Sequence, residues 1–444
     1  MSDAPAPASV TNRIPGLVVT ERHFRVPLSH AEPGGEKITV FARDVYAPGG
    51  ENRPWLVFLQ GGPGFGSPRP AGSAGTGQVG GWLGRAVRDF RVLLLDQRGT
   101  GRSTPVSRQT LPARGDAEQQ ADYLAHFRAD SIVRDCELIR QELAGGEQWT
   151  VLGQSFGGFC ATTYLSMAPS SLRRVLICGG LPSLDAHADN VYRAAYPRMK
   201  RASENFYARY PQDVEHVRRI VTHLASREVV LPGGAALTPE AFQSLGLMLG
   251  VSDGIDNLHY LLEGALVTVN GATELSDAFQ EAVQQHLSFA AHPIYALLHE
   301  PLYAQGGKPT SWSAERVRAE FPEFDAARAT SGGSPLLFTG ETIHPWHFRT
   351  DPALRPLREV ADILAERTDW APLYDASVLA RNTVPVAAAV YAEDMYVDVE
   401  HSKQTAAKIK GLRRWLTDEH AHDGLRASGD AVFERLLRMA DGEI

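Results

Sequence analysis

Apolar side chains recur along this chain in two patterns that predict different secondary structures. Alternating or short continuous apolar runs, which indicate strands, occupy residues 17–26, 38–46, 55–59, 91–95, 149–152 and 175–177. Residues 130–143 instead place apolar side chains at helical spacing. The first two runs predict a β-hairpin, and the later strands alternate with helices. This order predicts an α/β fold with a mostly parallel sheet and helices on both faces.

The character of the sequence changes near residue 183 and changes back near residue 372. Between these points the pattern is helical and rich in aromatic residues, with Pro and Gly interruptions and no succession of strands. Strand patterns return at residues 384–390 and 412–416, and helix patterns return at residues 399–409 and 430–439. We therefore predict a flexible N-terminus, a first core part, an inserted helical cap and a second core part, at residues 1–15, 16–182, 183–372 and 373–444.

The composition of the chain limits the classes of protein to which it can belong. With 444 residues, 43% hydrophobic and 22% charged, the chain fits a globular core with a large insertion. It contains neither a secretion signal nor an apolar run near the roughly 20 residues that span a bilayer. We therefore expect a soluble, cytoplasmic protein without a membrane partner. A net charge of −8 argues against nucleic acid as a partner.

Three cysteines, Cys136, Cys160 and Cys178, are too few and too far apart for a disulfide framework or a metal site. We expect them to be small buried residues. The sequence predicts neither a metal nor another cofactor.

A Gly-Gln-Ser-Phe-Gly-Gly motif at residues 153–158 follows a predicted strand and precedes a stretch compatible with a helix. This is the sequence setting of a nucleophile elbow, in which a serine sits on a cramped strand-to-helix turn. Glycines flank the serine because a Cβ there would clash. Ser155 is therefore the predicted nucleophile of a serine hydrolase.

A hydrolytic serine needs a base, and the base needs a carboxylate that orients it. With a nucleophile elbow, both partners follow the serine in the chain. Asp394 follows a predicted strand and is the expected carboxylate, with Glu393 and Asp398 as alternatives. His422 follows the last predicted strand and precedes a glycine. It is the predicted base, and His420 is the alternative.

Acyl transfer also needs hydrogen-bond donors for the oxyanion that forms on the substrate carbonyl. The amide of Phe156, directly after the serine, is the first predicted donor. The second is expected from the Gln-Gly-Gly-Pro-Gly turn at residues 60–64, which follows a predicted strand. Gly62 is the preferred donor in this oxyanion turn, and Gly61 is the alternative.

Three motifs in order resemble those of a known family: the oxyanion turn, the run Asp-Gln-Arg-Gly-Thr-Gly-Arg-Ser at residues 96–103, and the elbow motif. They look like the motif set of the prolyl aminopeptidases, or proline iminopeptidases, of the α/β-hydrolase fold. The resemblance implies an α/β-hydrolase core with a helical cap. It also implies removal of an N-terminal proline from peptides by a triad of Ser155, Asp394 and His422.

Two features of these motifs concern the residues that hold the loops of the site in place. Gln60 stands where the family usually has His, which leaves the support of the oxyanion turn open. Asp96 and Arg98 are expected to brace their loop through an internal ion pair, without taking part in the chemistry.

An aminopeptidase has to recognise a positively charged N-terminus, for which carboxylates in a partly dry pocket are suited. Glu263 interrupts an apolar helical run, and Glu341 lies among aromatic and Pro residues. Both resemble the amine-binding glutamates of the family, and a structural ion pair with an arginine is the alternative for each. Aromatic candidates for the wall of a small proline pocket are Phe156, Tyr260, Trp346 and Phe348.

The motifs predict a serine hydrolase, and the resemblance implies a serine peptidase that releases N-terminal proline through an acyl-enzyme on Ser155. Its expected substrates are small peptides with a free N-terminal proline. A carboxylesterase or lactonase of the same fold is one alternative, because it would keep the triad without needing the two glutamates. A non-catalytic binding protein of the same fold is another. The oligomeric state is left open.

Overall fold

The computed structural model describes residues 9–71, 80–330 and 333–444 of the chain. In these ranges a nine-stranded sheet has the order β1-β2-β3-β5-β4-β6-β7-β10-β11, and β8 pairs with β9 in a separate hairpin. The strands are β1 Val10–Ile14, β2 Leu17–Pro27, β3 Lys37–Tyr46, β4 Trp55–Leu59, β5 Arg91–Asp96, β6 Trp149–Gln154, β7 Leu172–Cys178, β8 Leu266–Val269, β9 Ala272–Leu275, β10 Val386–Tyr391 and β11 Leu412–Thr417.

The large sheet is antiparallel on one side and parallel on the other. Strands β1, β2 and β3 form an antiparallel meander, and β3 pairs antiparallel with β5. All remaining neighbours, from β5 to β11, are parallel. The predicted hairpin and the mostly parallel sheet are therefore confirmed. Because parallel strands end at the same edge, the loops after β4, β6, β10 and β11 meet there.

The α-helices of the described ranges confirm those predicted at residues 130–143, 399–409 and 430–439. In chain order they are α1 Gly81–Ala86, α2 Ala117–Ala125, α3 Ala129–Ala144, α4 Phe156–Met167, α5 Ala188–Arg209, α6 Asp213–Ser226, α7 Pro239–Gln243, α8 Gly254–Glu263, α9 Asp277–Leu287, α10 Pro293–Leu298, α11 Ser313–Arg318, α12 Ala327–Thr330, α13 His347–Thr350, α14 Arg358–Glu366, α15 Ala376–Leu379, α16 Val399–Lys408, α17 Gly424–Ala427 and α18 Gly429–Asp441. Within the described ranges, none of them combines the length and the apolar character needed to cross a membrane.

Each face of the sheet has its own hydrophobic core, because successive side chains of a strand point to opposite faces. In β4, Val57 and Leu59 belong to the core covered by α3 and α4, whereas Leu56 and Phe58 belong to the core covered by α1 and α18. Burying one such side chain contributes about 1.5–3 kcal/mol. The central strands are therefore held from both sides, which fixes the positions of the loops at their carboxyl ends.

The segment between β7 and β10 has two packing partners. Helices such as α5, α6 and α8 share a core of their own within residues 188–338, joined by Met395. Residues 294–304 and 343–370 instead pack with residues 106–127 of the first core part. We refer to residues 183–372 as the cap segment, and its limits stay a prediction.

The N-terminal prediction was wrong for part of its length. Residues 1–8 lie outside the described residues, but residues 10–14 form the strand β1. They pair with β2 in a register that runs from Val10 opposite Glu21 to Ile14 opposite Leu17. Main-chain hydrogen bonds to the sheet therefore hold this segment, although its own side chains are mostly exposed.

The hairpin of β8 and β9 was not predicted in the cap segment. Its sequence carried a signal for it: the β-branched Val267, Thr268 and Val269 precede an Asn-Gly pair. Asn270 and Gly271 both have positive φ, at 51° and 81°, as the tight turn of a two-residue hairpin requires. The surrounding helical pattern concealed this local signal.

Candidate active site

Ser155 lies at the tight turn between β6 and α4, where the elbow motif predicts it. Its backbone has φ 54° and ψ −124°, a conformation that a residue with a side chain rarely adopts. A Cβ on Gly153 would overlap the carbonyl of Gly157, and a Cβ on Gly157 would overlap that of Leu59. The glycines therefore allow the close packing that holds the serine at the carboxyl edge of the sheet.

Asp394 and His422 meet at this edge, from the loops after β10 and β11. The Nδ1 atom of His422 lies 2.8 Å from Asp394 Oδ2. The other carboxylate oxygen accepts the amides of Tyr396 and Val397 at 2.8 and 3.0 Å. Asp394 thereby favours the tautomer with a proton on Nδ1 and leaves Nε2 of His422 as a proton acceptor.

The surroundings of His422 favour its protonated form. Burial disfavours the charged ring, but the charge and hydrogen bond of Asp394, with the charges of other nearby carboxylates, hold the pKa of His422 above its ordinary 6.5. The ring packs edge-on against Tyr396, with centroids 4.8 Å apart. The His422 amide donates to Gly250 O at 3.1 Å. A residue of the cap segment therefore supports the histidine loop.

Ser155 and His422 are neighbours without a direct hydrogen bond among the described residues. A Cβ on Gly179 would lie 3.2 Å from His422 Nδ1, and a Cβ on the adjacent Gly180 would overlap the carbonyl of Ser155. The side-chain amide of Gln154 donates to the His422 carbonyl at 3.5 Å. Catalytic hydrogen bonds are often long without substrate and tighten when it binds. The structure thus brings the three predicted triad residues to one region.

The alternatives to this carboxylate and this base have other environments. Glu393 is exposed. Asp398 forms an ion pair with Arg198 at 2.7 Å and caps α16. His420 packs edge-on against two aromatic rings. The geometry therefore favours the pair that is already hydrogen-bonded.

The oxyanion turn follows β4 and approaches the serine closely. A Cβ on Gly61 would lie 2.8 Å from Ser155 Cβ, and Gly62 has φ +125°, a region that favours glycine. Within the described parts of the chain, the amides of Gly61, Gly62 and Phe156 donate to no protein acceptor. All three remain available to an oxyanion, so the choice between Gly61 and Gly62 stays open.

Gln60 contributes to this turn through its main chain. The side-chain amide of Gln97, in the loop after β5, donates to Gln60 O at 3.0 Å. A carbonyl oxygen is present whatever side chain stands at this position. The departure from His therefore leaves this link to the neighbouring loop intact.

The predicted ion pair between Asp96 and Arg98 was wrong. Arg98 is buried and pairs with Asp135 of α3 at 2.6 Å, while it also donates to main-chain carbonyls. Asp96 instead accepts the amides of Ser67 and Arg102 at 2.9 and 3.0 Å. A buried guanidinium has five donors, which a single carboxylate cannot satisfy.

Glu341 is a partly buried carboxylate near the triad region. Tyr295 OH donates to Glu341 Oε1 at 3.0 Å, and none of the described arginines or lysines pairs with this carboxylate. Burial raises the pKa of Glu341 to about 7, against the opposing effects of His422 and Tyr295, and the charge of Asp394 adds to the rise. Glu341 therefore lies within electrostatic reach of both predicted partners of the serine and lacks a cation.

Sequence reasoning missed the aromatic residues beside Glu341. His299 lies between Tyr295 and Tyr303, with ring centroids 4.9 and 6.2 Å away. Tyr303 in turn packs 5.9 Å from Phe159 of α4. Burial lowers the pKa of His299 to about 4, against the opposing effect of the Glu341 backbone. The i, i+4 spacing of residues 295, 299 and 303 was the available signal, because it places them on one face.

The expectation that Glu263 is buried was wrong. Glu263 is the exposed last residue of α8, and Tyr260 on the same helix retains 63% of its accessible surface. The helix is amphipathic: Leu258 and Leu262 are buried, and the positions between them are not. An exposed carboxylate stays hydrated, so an ammonium ion gains little from it. No contact among the described residues brings either side chain to the triad region.

The aromatic wall differs from the prediction as well. Phe348 is fully buried and packs against Trp312, so it belongs to the core and cannot line a substrate pocket. Trp346 stacks on His347 with centroids 3.7 Å apart. It lines a cavity of about 250 Å³ that contains no triad residue. The substrate contacts of Trp346 and Phe156 stay predictions.

No group of three His, Cys, Asp or Glu side chains in the described ranges is arranged to hold a metal ion. The three cysteines are buried, as predicted, and their thiols are free. Burial raises the pKa of each thiol, which keeps them protonated and unreactive.

Comparison with known proteins shows the family to which the chain belongs. The α/β hydrolase fold family model matches residues 54–223. A proline iminopeptidase from Aeromonas sobria is 47% identical over 427 residues, which cover 96% of this chain and 97% of that protein. A proline iminopeptidase from Aspergillus aculeatus is 37% identical over 453 residues, covering 99% and 98% of the two chains. A probable proline iminopeptidase from Streptomyces coelicolor is 32% identical over 124 residues, which cover 28% of this chain and 35% of that protein.

Proposed function

Because the chain belongs to the proline iminopeptidase family of the α/β-hydrolase fold, we propose that it releases N-terminal proline from small peptides, with Ser155 as nucleophile. The observation that carries the proposal is the position of Glu341. This carboxylate has no cationic partner in the described residues and lies within electrostatic reach of His422 and Asp394. It supports the recognition of a free amine next to the site of acyl transfer.

Acylation begins when Ser155 Oγ attacks the prolyl carbonyl carbon and Nε2 of His422 accepts the hydroxyl proton. The negative charge moves to the carbonyl oxygen, where the amides of Phe156 and the oxyanion turn donate hydrogen bonds. The C–N bond then breaks, and His422 gives its proton to the departing amine. Asp394 stabilises the imidazolium, in keeping with the raised pKa of His422.

Deacylation repeats these steps with water. His422 takes a proton from a water molecule, whose oxygen adds to the ester carbonyl carbon. The bond to Ser155 Oγ then breaks, and the serine regains its proton from His422. The products are free proline and a peptide one residue shorter.

Recognition of the amine depends on charge. An N-terminal proline carries a secondary ammonium group, which donates to a carboxylate in a charge-assisted hydrogen bond. Glu341 ionises with a pKa of about 7 when no cation is present. An ammonium ion beside it lowers that pKa and offsets the cost of keeping the charge partly buried. A substrate with a blocked amine cannot provide this compensation.

The experiment compares a prolyl arylamide with its N-acetylated form. Hydrogen bonds to charged groups contribute about 1.5–3 kcal/mol, so blocking should lower kcat/KM by about tenfold to a hundredfold. A simple ester turned over faster than the prolyl arylamide, with no effect of N-acetylation, would contradict amine recognition and favour a carboxylesterase.

The nucleophile is tested separately with a fluorophosphonate, which labels an activated serine. We expect one label per wild-type chain and none in Ser155→Ala. An unreactive wild-type protein would contradict a serine hydrolase mechanism and favour a binding protein of the same fold.

A further inference from the structure

A cavity of about 450 Å³ lies beside the oxyanion turn. Its walls include residues 64–67, which continue this turn, and residues 290–294 of the cap segment. A chain advances at most about 3.6 Å per residue, so Gly64 lies within about 7 Å of Gly62. The cavity wall at Gly64 therefore lies no farther from Gly62, the preferred oxyanion donor, than the length of two extended residues.

Side-chain packing connects this cavity to the carboxylate proposed for amine binding. Phe65, in the cavity wall, stacks on His292 with centroids 4.1 Å apart and meets Tyr295 edge-on at 5.8 Å. Tyr295 donates to Glu341. The cavity and the amine site are thus neighbours on either side of one layer of aromatic rings.

Three arginines, Arg43, Arg69 and Arg102, line the cavity. Arg43 lies over the ring of Phe41 at 4.8 Å, and no carboxylate in the described ranges pairs with it. Burial lowers the pKa of Arg43, and the charges of Arg102 and Arg69 lower it further against those of two carboxylates. The Arg43 guanidinium therefore lies close enough to those of Arg102 and Arg69 to be repelled by both. Arg69 is exposed and also has no ion-pair partner among the described residues.

Nearby carboxylates compensate this charge only in part. Asp96 accepts the amides of Ser67 and Arg102, and Glu21 pairs with the Arg102 side chain at 2.6 Å. These three guanidinium groups and two carboxylates together have a net charge of about +1. Residues 72–79, which follow this part of the chain, contain no ionisable side chain. They cannot supply an anion.

We propose that this arginine cavity binds the C-terminal carboxylate of the leaving peptide, so that short peptides with a free C-terminus are preferred substrates. The inference rests on the proposed function, because it places the prolyl carbonyl at Ser155. A leaving dipeptide spans up to about 7 Å, which brings its carboxylate to the cavity wall. Arginine suits this role because its planar group donates two parallel hydrogen bonds to a carboxylate. Within residues 9–71, 80–330 and 333–444, no carboxylate uses this capacity of Arg43 and Arg69.

The test compares prolyl-glycyl-glycine with its C-terminal amide, which differ only in the charge at the far end. We expect kcat/KM to be about tenfold higher for the acid, the value of a charge-assisted contact, and the ratio to fall with added salt. Arg69→Gln and the double variant Arg43→Gln/Arg69→Gln should bring the ratio towards one. Arg414→Gln, an exposed arginine on the edge strand β11, should leave it unchanged.

Equal kcat/KM for acid and amide in the wild type would overturn the inference. So would a ratio that survives in Arg69→Gln and in the double variant, or a loss that is the same for both substrates. Failure of the proposed function would look different, because the wild type would then not hydrolyse a prolyl arylamide, which has no C-terminal carboxylate.

Discussion

Replacing Glu341 by glutamine should weaken catalysis and stabilise the fold in the same protein. The carboxyl group has a pKa of about 7 in the folded chain, against an ordinary 4.5. The difference corresponds to about 3 kcal/mol of unfavourable ionisation, as an upper bound because the side chain keeps some contact with solvent. Glu341→Gln removes the charge and keeps an oxygen that can accept the hydrogen bond from Tyr295.

The sign of the pH dependence follows from the direction of the pKa shift. Below pH 4.5 both the folded and the unfolded chain hold the proton, and the substitution changes little. As the pH rises from 4.5 to 7, the unfolded chain releases the proton first, so the wild-type free energy of unfolding falls. Glu341→Gln does not ionise. Its stability relative to the wild type should therefore grow across this window and level off above about pH 7.

Two measurements check this reasoning. The free energy of unfolding, measured in urea, should be at most about 3 kcal/mol higher for Glu341→Gln than for the wild type at pH 8. At pH 4 the two proteins should be nearly equal in stability. Its kcat/KM on a prolyl arylamide should be about tenfold to a hundredfold lower. Glu359→Gln, at an exposed position of α14, is the matched control for both. A gain in stability that is the same at both pH values, or unchanged turnover, would refute the assignment.

Three further substitutions test other parts of the site. Asp394→Asn should lower kcat about 10³- to 10⁴-fold. It should also move the acid limb of the pH–rate profile to lower pH, because the charge and hydrogen bond of Asp394 raise the pKa of His422. An acid limb at the wild-type pH would contradict this role. Gly157→Ala should lower Tm through overpacking of about 1–3 kcal/mol against Leu59, whereas Gly264→Ala, whose Cβ would meet nothing within 4 Å, should not. Glu263→Gln should change kcat/KM less than about fivefold, as for a surface charge; a loss as large as that of Glu341→Gln would return Glu263 to the amine site.

Local signals account for what could be predicted from the sequence. The elbow around Ser155 depends on glycines within two residues of it, and their necessity comes from contacts across one turn. The strand before Asp394 is an apolar run that the parallel sheet buries on both faces, whereas the strand before His422 lies at the sheet edge and is mostly exposed. Since parallel strands end at one edge, chain order alone sufficed to bring the carboxylate and the base together.

The burial of the two glutamates could not be predicted from local sequence signals. Glu263 and Glu341 both stand among apolar neighbours in the sequence, yet one is exposed and the other partly buried. The difference arises from tertiary packing: α8 turns Glu263 outward, whereas Tyr295, 46 residues away in the chain, closes over Glu341. Burial of a single charged residue depends on such distant partners, which periodicity does not encode.

The proposed amine site and the arginine cavity carry opposite charges. The proposed amine site is anionic through Glu341, and the arginine cavity beyond the oxyanion turn is cationic through Arg43 and Arg69. A short peptide with free ends carries the complementary charges, positive at its proline and negative at its carboxylate. Bound in the reverse direction, it would place like charges together at both ends, at a cost of several kcal/mol. If both proposals hold, the two sites select length and direction together, which neither the triad nor a proline pocket alone would do.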